Sequence, residues 1–204
     1  MPPRRRISAD ERRRQLVETG ARFFAAQSYD AVRMEEVAAQ SGVSRALLYR
    51  HFPTKRDLFA AVYQDAADRL VVETAVDPDL PLADRLVVGL DAHFDYFVAN
   101  RRAVLTANRT LAGDRVIQSI IDGEIDTLRE QILDATGLEP ADRAKLSSVL
   151  LSWLVFVRVL SVEWLAHEHL SREEMMDMCV GALMGALGDL IDVAAPPAGR
   201  EGGD

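Results

Sequence analysis

The chain is predicted to be all-α. Its 204 residues include only eight prolines and twelve glycines. No run of useful length alternates polar and apolar residues as a half-buried strand does, and apolar residues recur instead at helical spacings. With 49% hydrophobic residues the chain can bury a sizeable core in one or two domains.

Residues 1–7, with Arg4-Arg5-Arg6, read as a basic arm, for which minor-groove or phosphate contact and a plain solvated tail are both open. A second basic cluster, Arg12-Arg13-Arg14, opens the first helix. Two short helices follow around Gly42-Val43-Ser44. Met34, Val37 and Ala38 stand at i, i+3 and i+4 and give the first an apolar face. Gly42 can take positive φ after it, Val43 plugs the corner, and Ser44 is a good N-cap for a second helix from about Arg45. There Leu48 and Phe52 must face inward, leaving an outer face suited to a DNA major groove. The candidate DNA-binding residues are Ser44, Arg45, Ala46, Leu47, Tyr49, Arg50, His51 and Lys55, with Arg4, Arg5 and Arg6 on the arm. Arg45 can fork onto guanine O6 and N7, and Ala46 permits close approach. Tyr49, His51 and Lys55 are of the kind that grips phosphate oxygens.

Several of these residues stand at the offsets of a known signature: Ala38, Gly42-Val43-Ser44, Leu48-Tyr49, His51-Phe52, Lys55 and Leu58, preceded by Ala21, Phe23, Phe24 and Tyr29-Asp30-Ala31. Over roughly 13–59 the chain resembles the TetR family of one-component transcriptional regulators. The resemblance implies a helix-turn-helix domain joined to a helical body that binds an effector and dimerises. The chain departs from the family pattern at Ser28, where glycine is usual, and at Val32-Arg33, where a Thr or Ser N-cap is common. It departs again at Glu35, which puts a phosphate contact from that helix in doubt.

Beyond the motif, Thr54 is a plausible N-cap for a helix from Lys55 to about Ala75, which the resemblance makes the connecting helix. Asp77-Pro78-Asp79-Leu80-Pro81 is a break. Helices are expected after it at about 82–100, 102–111, 115–135, 141–169 and 171–193, with a Pro/Gly-rich, disordered tail. The expected domains are 1–55 (arm and helix-turn-helix), 56–195 (effector binding and dimerisation) and 196–204 (tail).

Charge supports this division. Residues 1–60 carry 12 Lys+Arg and 7 Asp+Glu, net +5, so the remainder of the net -8 chain is at -13. The single cysteine, Cys179, excludes a disulfide framework within the chain and a zinc cluster and suits a reducing cytoplasm. The basic N-terminus lacks the apolar core of a secretory signal. Val149–Val157 is strongly apolar, but Arg158 and Glu163 are expected to cut it short of membrane-spanning length, so no membrane partner is expected.

In the body, candidate effector-binding residues are His93, Phe94, Phe97, Trp153, Phe156, Arg158 and Trp164. His93 lies on an inward stripe with Leu86, Leu90 and Phe97, and is either a core histidine or a ligand contact. Arg158, charged within an apolar helix, needs a partner, either a carboxylate of the protein or an anionic effector. The effector is expected to be a small hydrophobic molecule, with an acyl or aromatic carboxylate among the forms considered. Gly181, Met184, Gly185 and Gly188 are the candidate dimer interface, since glycines inside a helix call for a close backbone approach. A homodimer on a pseudo-palindromic double-stranded DNA operator is the expectation.

Two rivals stand against it. An enzyme would need a nucleophile elbow, a P-loop or a metal motif, and none is present. Of the four histidines His51, His93, His167 and His169, only His167 has a metal-type spacing, with Glu163. Neither catalysis nor a cofactor nor a metal is expected. The second rival, a helical module for a lipid or protein partner with vestigial DNA binding, is favoured only by Glu35 and the missing cap at Arg33.

Overall fold

The computed structural model describes residues 8–73, 80–136 and 138–188. The basic arm with Arg4, Arg5 and Arg6, most of the break at 77–81 and the tail lie outside them. Among the described residues every regular element is helical: α1 (Ala9–Ala26), α2 (Met34–Gln40), α3 (Arg45–His51), α4 (Lys55–Glu73), α5 (Leu82–Ala99), α6 (Arg101–Leu105), α7 (Arg115–Asp134), α8 (Pro140–His167) and α9 (Arg172–Leu187). The segment expected as one helix over 102–111 is instead α6 followed by a π-helical turn, Thr106–Thr110. Leu111 N–H reaches back to the Thr106 carbonyl at 2.9 Å, five residues away, which widens the turn.

Helix starts follow local chemistry. Ser8 and Glu11 form a capping box, the Glu11 N–H donating to Ser8 Oγ at 3.1 Å and the Ser8 N–H to Glu11 Oε2 at 2.9 Å. That bond from the Ser8 backbone, with the Ser8 side chain, holds the Glu11 carboxyl below its ordinary range. Ser171 and Glu174 repeat the device at α9. Gly188, expected inside the last helix, ends it: with φ +49 it sits just past Leu187, a conformation L side chains rarely adopt.

The described residues fall into two compact units, one reaching to Ala66 and including Arg102–Ile120, the other comprising Ala67–Arg101 and Ile121 onward. The first unit thus extends past the expected boundary at residue 55 and takes in a distant segment. Arg56 explains part of this, since its guanidinium bridges Asp57 at 2.8 Å and Asp114 at 3.3 Å, and Asp114 in turn accepts from the Val116 and Ile117 N–H groups that open α7. The core of this unit contains Leu16, Val37, Leu48, Leu58 and Phe59. Gly20 permits a close approach of α1 to α4, because a Cβ there would lie 3.1 Å from the Leu58 side chain.

In the second unit α9 packs on α8 and α5 around Leu90, Phe94, Leu150, Trp153, Met175 and Leu183. Trp153 Nε1 donates to the Cys179 carbonyl at 2.8 Å, so the indole is both buried and satisfied. Arg172 ties α9 to α5 through Asp91 (2.8 Å) and Asp95 (2.6 Å). By length and composition α8 is long and apolar enough to cross a membrane, contrary to the expectation that Arg158 and Glu163 cut it short. Its inner face, with Leu146, Leu150, Trp153 and Val157, is core; its outer face exposes Leu151, Val155, Phe156 and Val159.

Candidate functional site

The helix-turn-helix is built as its residue types require. Val37 and Ala38 bury one face of α2, and Met34 joins them. Gly42 takes φ +65 in the turn, and Ser44 caps α3 by accepting from the Leu47 N–H at 3.2 Å. Arg33 at the start of α2 makes no side-chain cap, as its residue type dictates. Gln15 of α1 donates to the Ser41 carbonyl at 3.3 Å, and Arg13 lies 5.1 Å above the Phe52 ring, so α1 braces both motif helices.

With Leu48 buried, α3 exposes Arg45, Ala46 and Arg50, and leaves Leu47, Tyr49 and His51 half-buried. Arg45 is already engaged: its guanidinium meets Glu35 at 3.0 Å and lies 5.4 Å from the Tyr49 ring centre. Lys55, expected at a phosphate, is engaged within the chain. Its ammonium donates to the carbonyls of Asp30 (3.1 Å) and Val32 (3.2 Å) and sits 4.7 Å from the Tyr29 ring centre, closing the turn between α1 and α2. These carbonyls lie at a chain reversal, where backbone acceptors lack helical partners and attract a cation.

The second unit contains a cavity of about 440 Å³, bounded by α5, α7 and α8. Its walls are mainly apolar, with Leu90, Ile125, Leu128, Leu154 and Val157 among them, and its polar groups gather at two ends. At one end are His93, Arg158 and Glu124. Arg158 pairs with Glu124, both buried, so the partner the sequence demanded is a carboxylate of the chain. Burial outweighs the neighbouring guanidinium and holds the Glu124 carboxyl above its ordinary range. The His93 ring lies 4.0 Å from the Phe97 ring, tilted by 31°, and burial, with Arg158 close by, drives its pKa down to about 3, so the imidazole is neutral. At the other end Arg85 donates to the Ala135 carbonyl at 3.2 Å.

Of the expected effector residues, His93, Trp153 and Arg158 line this cavity. Phe94 and Phe97 are core residues behind it, and Trp164 is half-buried against Phe94 at 5.8 Å with its N–H on the Leu170 carbonyl. Phe156 is 40% exposed and lies in a shallow groove with Ser148, Ser152, Ala182 and Ala186. At about 100° per residue, the cavity face of α8 runs through Trp153, Leu154, Val157 and Arg158, and Phe156 is rotated off it. Gly181 and Gly185 are exposed on α9, whereas Met184 is half-buried against the core and Gly188 is a cap.

Sequence reasoning missed Arg85 and Glu124. For Glu124 a signal existed, since it falls on the Ile121, Ile125, Leu128, Ile132 stripe as a charge at an inward register, whereas Arg85 stands beside the Leu86, Leu90, His93 stripe rather than on it and nothing local marks it. Among the described residues no group of three metal-ligating side chains occurs. Glu163 and His167 meet at 3.4 Å on an exposed face of α8.

A capped recognition helix held by two bracing helices, in a chain whose second unit encloses an apolar cavity, defines a helix-turn-helix transcriptional regulator. Residues 16–62 match the model of the bacterial regulatory proteins of the tetR family. The chain is 30% identical over 154 residues to the HTH-type transcriptional activator FasR of Mycolicibacterium smegmatis, covering 71% of this chain and 68% of that protein. It is 18% identical to the transposon Tn10 TetC protein of Escherichia coli, covering 71% and 77%. A tetR-family transcriptional regulator from Streptomyces coelicolor superposes with a TM-score of 0.77 at 26% identity, covering 90% of this chain and 83% of that one. The chain belongs to the TetR family and is a DNA-binding transcriptional regulator. Regulators of this family bind operator DNA and act as dimers, and the rival of a module with vestigial DNA binding is not favoured.

Proposed function

We propose that the protein is a homodimeric repressor that leaves its operator when a small apolar molecule fills the cavity of its second unit. The observation that carries this is the cavity itself: about 440 Å³, walled mainly by aliphatic side chains, within the range of small-molecule sites. Effector binding releases DNA only by its differential affinity for the two conformers, so the effector must bind free protein better than operator-bound protein. Arg45, Ala46 and Arg50 supply the base and phosphate contacts of α3, and a two-fold pair of such helices reads half-sites about 34–36 Å apart or a multiple of that. The apolar outer face of α8 and the Gly181/Gly185 face of α9 form the dimer contact, which accounts for exposed Leu151, Val155, Phe156 and Val159 without a membrane. A DNA partner supports a cytoplasmic location.

The test is fluorescence anisotropy on the protein's own upstream intergenic DNA against a scrambled duplex, near physiological salt. Selective binding that apolar compounds release supports the reading. Equal weak binding to both duplexes, after denaturing extraction has removed any bound small molecule, counts against it. The likeness to an activator of transcription favours a second reading, in which the same occupancy turns a promoter on. A promoter–reporter fusion with and without the gene separates the two by the sign of the change.

A further inference from the structure

We infer that the effector is a medium-length carboxylate whose head group is held by Arg85, at the opposite end of the cavity from Arg158. The inference rests on the cavity being the effector site and goes further by naming the ligand's charge and its receptor.

Of the two arginines that line the cavity, Arg158 is the one an apolar-helix argument selects, but its charge is spent on Glu124. With His93 neutral beside them, that end carries no net charge. At the other end the balance differs. Asp134, largely exposed, shares the Arg143 guanidinium with Glu130, at 2.8 and 2.9 Å. Arg85 has a backbone carbonyl at 3.2 Å, and its Nε is buried with no hydrogen-bond partner among the described residues. No carboxylate of the described residues pairs with it. Unlike Arg158, this guanidinium has no carboxylate, so the Nη N–H groups not used on the Ala135 carbonyl can donate to the oxygens of one. Of the cavity's two arginines, Arg85 is therefore the one without a carboxylate partner among the described residues.

The dimensions suggest the rest of the ligand. Arg85 and His93 lie eight residues apart on α5, roughly 12 Å at the helical rise. Between them the walls are aliphatic, with Leu86, Leu90, Leu128 and Ile132. An extended alkyl chain of about eight to ten carbons spans that distance at ordinary carbon–carbon bond lengths. Its far end would then rest against the neutral His93 and the closed Arg158–Glu124 pair, which suits a methyl terminus or one small hydrogen-bonding group.

The experiment is isothermal titration calorimetry of the full chain with sodium decanoate and with methyl decanoate, on the native protein and on Arg85→Gln. Decanoate is expected to bind once per chain. Esterification and Arg85→Gln should each weaken binding on the order of tenfold to a hundredfold, the worth of a hydrogen-bonded charged group. Combined, they should weaken it little more than either alone, because both remove the same contact. Thermal unfolding and circular dichroism confirm that Arg85→Gln folds; if it does not, Arg85→Lys keeps the charge, loses the fork and should show an intermediate loss. Equal affinity for acid and ester, or decanoate binding unchanged in the variant, overturns the carboxylate inference and leaves an apolar effector site standing. If neither acid nor ester binds, and uncharged apolar compounds also fail to raise the melting temperature, the cavity reading falls with it.

Discussion

Glu35 of α2 holds Arg45 of α3 at 3.0 Å, so the arginine best placed to reach a guanine is paired with a carboxylate in the free protein. Both side chains are largely exposed, at 50% and 67%, and such pairs contribute little to stability. On DNA the same carboxylate competes for the guanidinium and repels nearby phosphates. Glu35→Gln should therefore tighten operator binding about two- to fivefold at low salt, with the gain shrinking as salt screens it. Anisotropy titrations at two salt concentrations read this. Weaker binding by the variant would show that Glu35 positions Arg45 rather than competing for it.

Lys55 and Arg50 should separate cleanly. Because the Lys55 ammonium is committed to the Asp30 and Val32 carbonyls, Lys55→Met is expected to lower the melting temperature more than it lowers DNA affinity. Arg50→Ala should do the reverse, weakening binding on all sequences and reducing the salt slope by about one. Melting curves and salt-dependent affinities on both variants check the pair.

His93 predicts an acid limb of stability. Its pKa is about 3 in the folded protein, below the ordinary value of 6.5 that the unfolded chain retains. Between those values the unfolded state binds more protons, so stability is complete above pH 6.5 and falls as the pH drops toward 3. From pH 7.5 to 5 this one group should cost about 2 kcal/mol. Urea unfolding at the two pH values should show that loss in the native chain and not in His93→Gln.

The buried Arg158–Glu124 pair should respond asymmetrically to mutation. Removing one partner leaves a buried charge, so Arg158→Leu or Glu124→Leu alone should destabilise by about 3–5 kcal/mol. Arg158→Leu with Glu124→Leu should cost much less than the sum. Denaturant midpoints across the cycle measure the coupling.

Gly185 tests the dimer contact. Within one chain a Cβ at Gly185 meets nothing within 4 Å, so Gly185→Leu leaves the protomer's own packing intact and improves helix propensity. Sedimentation should nevertheless shift from dimer toward monomer. A dimer that persists removes Gly185 from the interface.

Much of the first unit was legible from neighbours in the chain. Gly42, Ser44 and Leu48 act through bonds and faces set within a few residues, so their types alone predict the turn, the cap and the buried side. Helix existence and the α4, α5, α7 and α8 spans were readable for the same reason, from stripes and breaks. Phe156, expected at the effector site, does not line the cavity, and the run around it is apolar on every side. A helix with no polar face does not announce which side meets the cavity.

Local pattern by itself determined an all-helical chain with a helix-turn-helix near its start, because capping, turn chemistry and helical periodicity are short-range. Only the tertiary structure decided which charges meet. Glu124 and Arg158 are 34 residues apart, Arg56 and Asp114 58, and Arg85 lies across a cavity that no single helix encloses. Such pairings depend on how helices are rotated and stacked against one another, and that is set by the packing of whole faces rather than by any local run of residues.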